Sequence, residues 1–472
     1  MLPIAGWEPF GYAATSSSVR AVHRWVDNSG NAWVAYLCDD NIYVEVDGAL
    51  VSINPTVPLA APSASFAAGG YGDNVFNYGD FGTARPDVLG RKRNGGAFTL
   101  DNWGENLIIM SSYDGRLLEW VPNLTPAPAA TVLNSPSGNT FLVTPERHII
   151  VFGSGDDAVQ WCDKEDNTNW DFADVASEAG SLPVEPRAPI FAAAKINDIG
   201  NVFFTSRFVY LTSYLGLPYI YNFDEKGEGT IPVSPQAIAT IDNGAIWFGE
   251  SGVWKFNGVS IEPIPCDIWD WITDRIGWDE ARNYACTIHL PSKSEVWFSF
   301  PAPNGTTNSY TAIYNYRSGW WSMARIGRTA GFASDATTAP IMALDTKVYQ
   351  HESGALYPDS ELPWAETFNL NAYTGYYSPI ANGEVFGTFR QMLPEIKGDA
   401  AGVRFSLACA SERAPNNDVY SPQRRVQPNG KVDFMVTARD FRLRVSSVVS
   451  PVQNWRFGTT LVDIVPRGKQ KK

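Results

Sequence analysis

Four histidines, His23, His148, His289 and His351, are the only imidazoles in a chain of 472 residues. A general base or a zinc ligand would come from this small set, because imidazole titrates nearest neutrality and is the commonest metal ligand. None has a second histidine at metal-binding spacing. His351-Glu352 opens like a metalloprotease helix, but the run HESGA has no histidine four residues on. The paired acids Asp39-Asp40 and Asp156-Asp157 could cleave a sugar only if two carboxylates faced each other across it, and neighbours on a turn point apart. There is no Gly-x-Ser-x-Gly elbow and no phosphate-binding loop, and Gly153-Ser154-Gly155 reads as a hairpin turn. The five cysteines, Cys38, Cys162, Cys266, Cys286 and Cys409, are scattered and contain no CxxC pair. They are expected to be small buried hydrophobes in a reducing cytoplasm, not a disulfide framework or a zinc site. No catalytic residue, cofactor or metal is assigned.

The elements that would position such residues are strands. Aromatic residues make up 13%, with 40 Gly and 32 Pro, and charged residues only 18%. Aromatic side chains fill pleated faces, while Gly and Pro make turns. A hairpin recurs at 31–48, 106–120, 148–161, 201–216, 244–258, 294–316 and 339–354. Taking Leu107, Ile149, Phe203, Trp247, Trp297 and Met342 as markers, successive gaps are 42, 54, 44, 50 and 45 residues. That period suits four-stranded propeller blades, six or seven in number. The gap from Trp33 to Leu107 is 74 residues, which predicts a Gly/Ala-rich loop insertion at 60–96 ending in Arg91, Lys92 and Arg93. Within 266–285, Trp269, Ile272 and Ile276 recur at helical spacing behind a candidate cap, Asp267, and Gly277 splits the run into two short helices. After about Tyr377 the stretches 403–413, 431–447 and 455–466 alternate like an antiparallel β-sandwich. The expected architecture is therefore all-β: a propeller over 1–376 and a sandwich over 377–472, with the first dozen residues available to add a strand to the sandwich.

Charge is unevenly placed. The chain carries −14 overall, which is not the footprint of a protein that grips phosphates. From Ile380 onward there are 15 basic and 8 acidic residues, a balance of +7, and the remainder carries −21. An acidic body with a basic end can pair head to tail with copies of itself. The basic tail residues Arg467, Lys469, Lys471 and Lys472 are the candidate subunit contact. The N-terminal twenty residues show no basic stretch followed by an apolar run, so no secretory signal is expected. No apolar run approaches a membrane span.

Several segments together resemble a family of tail hub, nozzle or packaged-DNA stabilisation proteins of short-tailed bacteriophages. They are 98–120 (FTLDNWGENLIIMSSYDGRLLEW), 160–184, 235–272, 294–332, 348–354 and the ending 441–468. The insertion at 60–96 has no counterpart there. The resemblance implies a non-enzymatic virion component, assembled in the host cytoplasm as a homo-hexameric ring below the portal and its adaptor. Such a ring encloses the channel that retains and conducts genomic DNA, without reading its sequence, and offers docking surface to tail fibres, a tailspike or a needle. On that view the basic tail would meet the subunit or adaptor neighbour, Arg91, Lys92 and Arg93 would belong to a functional loop, and an acidic wall would let phosphates pass.

Two other readings stay open. One is a carbohydrate-binding or glycan-cleaving propeller of sialidase type, whose boxes read Ser-x-Asp-x-Gly-x-x-Trp. Residues 112–120 place Asp114 and Gly115 side by side, and 154–161 (SGDDAVQW) lack the glycine. The other is a cellular scaffold propeller that binds peptides on one face.

Overall fold

A computed structural model describes residues 7–10, 14–60, 95–155, 157–184, 186–196, 200–242, 244–333, 339–353, 370–373, 386–398, 402–410, 419–447 and 455–468. Each of the seven hairpins read from the sequence is the middle pair of a four-stranded antiparallel sheet. With strands lettered A to D outward, the blades span 19–52, 98–131, 140–183, 190–228, 238–264, 286–324 and 330–351. The seventh takes its outermost strand, Trp7–Pro9, from the start of the chain, and Phe10 N donates to Val348 O at 2.9 Å. The A strands of successive blades touch in sequence, and the last touches the first, so the ring closes as a seven-bladed propeller.

The marker residues were visible because B strands are buried on both faces. Ile149–Ser154 and Gly244–Gly249 are almost wholly buried, since each blade is covered by a neighbour on either side. Such strands read as continuous apolar runs. Aromatic residues lock the blades together. Trp120 meets Trp33 edge-on at 5.4 Å and Trp25 at 6.3 Å, joining blades 1 and 2. Trp247 meets Phe204 at 5.1 Å, joining blades 4 and 5, and its indole N–H donates to Thr230 O at 2.6 Å.

Between blades 5 and 6 lie two short helices, α1 (Trp269–Thr273) and α2 (Trp278–Tyr284). Gly277 divides them as the N-cap of α2, while Ile272 and Ile276 are buried against both blades. Asp267 is not the cap: Ile268 holds that position in α1, with no side-chain bond. The packing of Phe248 on Trp278, with centroids 6.1 Å apart, holds the turns instead. The long insertion falls between blades 1 and 2, and 61–94 lie outside the described residues.

Two three-stranded sheets form the second unit. One pairs Asp440–Ser447 with Leu370–Tyr373 and Val403–Ala410. The other pairs Phe386–Gly398 with Val432–Ala438 and Trp455–Gly468. Their inner faces share one core, in which Phe389 meets Phe441 and Phe405 meets Phe457 across the sandwich at 5.5 and 5.8 Å. The chain divides into compact units at 9–350 and at 1–8 with 351–472. The sequence boundary at 376/377 falls outside the described residues, and strand Leu370–Tyr373 already belongs to the sandwich. The first strand completes blade 7 and is in neither sandwich sheet, correcting the sequence expectation: the last blade has three strands of its own and an open edge that only a fourth can pair.

Replacing Trp247 with Ala removes a fully buried indole and its hydrogen bond. Unfolding by denaturant should show a loss of about 3–5 kcal/mol, with an unchanged slope if the transition stays two-state.

Candidate functional site

The one place where all seven blades converge is the axis. An A strand has a partner on its B side only, so its other edge turns backbone N–H and C=O groups toward the centre. Side chains satisfy several of these groups. Asn139 Nδ2 donates to Ile190 O at 2.7 Å, from blade 3 to blade 4. Gln236 Nε2 donates to Phe98 O at 2.8 Å, from the entry of blade 5 to blade 2. Asp101 Oδ2 accepts from Val143 N at 3.1 Å, from blade 2 to blade 3. The hydroxyls of Thr99 and Thr140 meet at 2.8 Å. Alanine and glycine fill much of the remaining wall, leaving a cavity of about 210 Å³. Ligand pockets for drug-sized molecules run to roughly 300–1,000 Å³, so this space suits waters or a very small polar molecule.

The two ends of the axis differ. At one end the Arg20 guanidinium pairs with Asp39 at 2.7 Å and lies 4.8 Å from the centre of the Tyr284 ring. Here the chain returns from the insertion: Gly95 N donates to Arg282 O at 2.8 Å. A Cβ at Gly95 would stand 2.6 Å from that oxygen, so only glycine fits. At the other end His23 Nε2 meets Asn102 Oδ1 at 2.5 Å, and Lys195 Nζ lies 3.7 Å from Asp101 Oδ2. Burial lowers the His23 pKa and outweighs the Asn102 bond and the Asp101 charge, which act the other way.

The remaining sequence candidates serve structure. His148 is fully buried, with Nδ1 2.9 Å from the Tyr221 hydroxyl and Nε2 3.3 Å from Glu178 Oε2. This cluster ties blade 3 to blade 4, and burial holds the His148 pKa down despite Glu178 and Glu146. His289 bonds the Tyr316 hydroxyl at 3.1 Å, and His351 stacks on Trp7 at 5.1 Å. Asp39 is occupied by Arg20, Asp40 accepts from Ser17 Oγ, and Asp157 lies 3.5 Å from Arg187; Asp156 lies outside the described residues. All five cysteines are free thiols, and burial pushes Cys38, Cys162 and Cys286 up to about 12. Among the described residues no group of three or more His, Cys, Asp or Glu could hold a metal ion, and no helix is long and apolar enough to cross a membrane.

Arg467 sits at the end of the long edge strand and donates from Nε to Thr388 Oγ1 at 2.9 Å. Lys469, Lys471, Lys472, Arg91, Lys92 and Arg93 lie outside the described residues. Trp321 turns inward, its N–H donating to Pro265 O at 2.8 Å, whereas Trp320 is 75% exposed. Sequence reading missed the axial staples. Thr99, Asp101, Asn139 and Gln236 carry no motif; strand alternation is a signal only for Thr99 and Asp101, since Asn139 and Gln236 precede the strands Thr140–Val143 and Ile238–Ile241.

No protein-family model matches the chain, and no curated protein matches it. Solved structures similar to it include virginiamycin B lyase from Staphylococcus aureus, at 10% identity and a TM-score of 0.43 over 73% of this chain and 98% of that one. YCF48 from Cyanidioschyzon merolae is 9% identical, with a TM-score of 0.41 over 74% and 99%. A fungal alcohol oxidase of the AA5 family in complex with copper is 12% identical, with a TM-score of 0.40 over 98% and 99%. The propeller assignment rests on the strand order and the closed ring of inner strands.

Three histidines held below their ordinary pKa of 6.5 by burial, His23, His148 and His289, make stability depend on acidity. Each is neutral in the fold, while the unfolded chain takes up a proton at the ordinary value. Their contribution is complete above about pH 6.5 and declines as pH falls from there toward the lower folded values. Denaturant titrations between about pH 8 and about pH 5 should show that decline, and His148→Gln should flatten part of it.

Proposed function

We propose that this chain is a structural subunit of a short-tailed bacteriophage particle, a component of the tail hub or nozzle ring. The observation that carries this reading is the uneven charge along the chain: residues 9–350 carry 21 basic and 37 acidic residues, a balance of −16, whereas the unit of 1–8 with 351–472 carries 15 and 13, a balance of +2. The basic excess after Ile380 falls on strands of the sandwich, through residues such as Arg390, Arg404, Arg442 and Arg444, while the propeller chain is strongly acidic. An acidic propeller joined to a chain end with a basic excess suits repeated association of identical copies. The order of the segments resembling that family supports the same reading.

The axis refines it. A stapled cavity of about 210 Å³ cannot admit a nucleic-acid duplex, whose major groove alone is about 12 Å wide. DNA would therefore run between copies, through the hole of a ring, with the propellers as solid blocks around it. A net charge of −14 then keeps phosphates from adhering. The adaptor would meet the ring at one end, and fibres, a tailspike or a needle would use its outer surface.

A second reading is favoured by one observation, the exposed Trp320 two residues beyond the Ser318 turn, which suits stacking on a sugar. Binding to a glycan array, abolished by Trp320→Ala, would select it.

Purified protein mixed with its adaptor should form a closed ring, six copies by native mass spectrometry. Removing Arg467 to Lys472 should weaken that assembly while the propeller stays folded. Particles lacking the subunit should package DNA and then leak it. Tight, sequence-selective binding in a mobility assay at moderate salt would overturn the conduit reading.

A further inference from the structure

The two faces of the propeller are chemically unlike. In a four-stranded antiparallel blade the A–B and C–D connections emerge on one face, and the B–C and D–A connections on the other. On the first face the outer hairpin of blade 4 projects. Its C strand last pairs with the B strand where Asn201 meets Thr212, but the C and D strands stay paired out to Gly216 and Ile220. The hairpin therefore runs on about four residues, roughly 13 Å, past the body of the blade. From Phe208 to Phe223 it holds no charged residue. Its root is fixed, with Tyr221 buried and the Tyr214 hydroxyl donating to Glu178 Oε2 at 3.2 Å. Its tip presents Leu215, Leu217 and Tyr219, at 59%, 73% and 76% exposure. Large apolar side chains grouped on a projecting turn mark a contact surface.

The Tyr214–Glu178 bond joins this hairpin to the blade 3 loop 162–179, which carries six carboxylates against one lysine, Lys164. The loop is a fixed display. Trp170 is buried and donates to Asn167 O at 2.7 Å. The exposed Asp166, Asp171 and Asp174 each accept a bond from the backbone N–H two residues on, at 2.9, 3.0 and 2.9 Å. Each uses Oδ1 for that bond, and the second oxygen is left to solvent. Other acids of the propeller are matched by arginine, Asp39 by Arg20, Glu228 by Arg207 and Glu250 by Arg282. Among the described residues Glu165, Asp166, Asp171 and Asp174 have no basic partner. Carboxylates gathered without a cation repel one another and favour a cationic partner.

We propose that this surface receives the lysine-rich segment 469–472 of another copy, the ammonium groups of Lys469, Lys471 and Lys472 meeting the loop carboxylates and their aliphatic stems lying over Leu217 and Tyr219. This rests on the ring reading above and names the acceptor of the segment that reading sets between subunits. The two chemistries match in kind. The segment holds three lysines and no acid. A lysine lays its stem along apolar surface and keeps its ammonium in water, and an ammonium is drawn to the face of a tyrosine ring. Arg467 stays on its own strand, bonded to Thr388, and that strand's last pair sets Gly468 opposite Phe386. The four residues that follow can span at most about 14 Å. The same loop face of a second copy is disfavoured as occupant, because it would set one acidic loop against another. Like charge also disfavours an anionic lipid surface.

The probe is a fluorescent peptide of residues 464–472, titrated by anisotropy with the full chain and with a chain ending at Gly468. The shortened chain should bind it, and raising salt from about 50 mM to about 300 mM should weaken that binding. Asp171→Asn with Asp174→Asn should weaken it about tenfold, and Leu217→Ser with Tyr219→Ser about as much. Glu228→Gln, at the far end of the same hairpin, should change nothing. Thermal melts establish that the variants fold, and Asp174→Asn alone or Leu217→Ser alone replaces a double variant that does not. No binding at the lower salt overturns the proposal. So does binding that ignores the acid and tip variants, or that falls equally with Glu228→Gln. A full chain that is monomeric at the concentration used, yet binds the peptide no better than the acid variant, holds its own segment, which overturns the contact between copies. Rings that form with the adaptor and need 469–472, while the peptide ignores the loop, overturn this acceptor and leave the ring reading standing. Binding that follows loop and tip while no ring forms supports the acceptor and removes the ring.

Discussion

An inner strand of a propeller has a hydrogen-bonding partner on one side only, and seven such strands face one axis. Their unpaired edges must be satisfied by side chains or by the few waters an axial cavity of about 210 Å³ can hold, and burying them unmet would cost about 1–3 kcal/mol per group. This chain meets the requirement with short polar side chains that reach from blade to blade. Asn139, Gln236 and Asp101 bond backbone groups of other blades, and Thr99 bonds Thr140. The staples hold the ring closed and use the axial polar groups. The centre, which in an open propeller could be a site, here becomes a hub.

The same closure explains the rest of the interior. Once the ring is fixed, each blade is pressed between two others, so B strands have no solvent face. Large aromatic residues fill the wedge that widens outward between blades, as Trp120 does between blades 1 and 2. Polar atoms on those rings need partners, and backbone carbonyls such as Ala127 O and Thr230 O supply them. The buried histidines belong to this scheme. His148 joins Tyr221 and Glu178 across a blade boundary, where a neutral imidazole offers one donor and one acceptor.

With hub and blades consumed by structure, chemical variety is left to the connections and to the second unit. The connections on the two propeller faces differ in kind. On one face the B–C turns carry acids held by local arginines, Asp39 by Arg20 and Glu250 by Arg282. On the other, apolar tips stand beside a strongly acidic loop. The sandwich adds arginines on one sheet and exposed Leu393, Met435 and Leu461 on the other. Charge and apolar surface are thus segregated outside the hub, which keeps a cavity of about 210 Å³.

The amino-acid sequence determined the repeat by itself. Two-sided burial writes each B strand as an apolar run, and its C strand follows after a short turn, so all seven middle hairpins could be read from spacing, while the choice between six and seven blades waited on the ring closure. The break at Gly277 was legible for the same reason, since helical spacing and a glycine are local signals. Outer strands, the seventh blade's borrowed strand and the extra sandwich strand at Leu370–Tyr373 were not legible. A and D strands are short or half-exposed, and the partner of Trp7–Pro9 lies more than three hundred residues away. The axial staples and the gathering of Arg404, Arg442 and Arg444 on one sheet face depend on register and ring closure. Those are relations between distant residues, and only the tertiary structure decides which side chains meet, because no local spacing encodes a contact made around an axis or across a sheet.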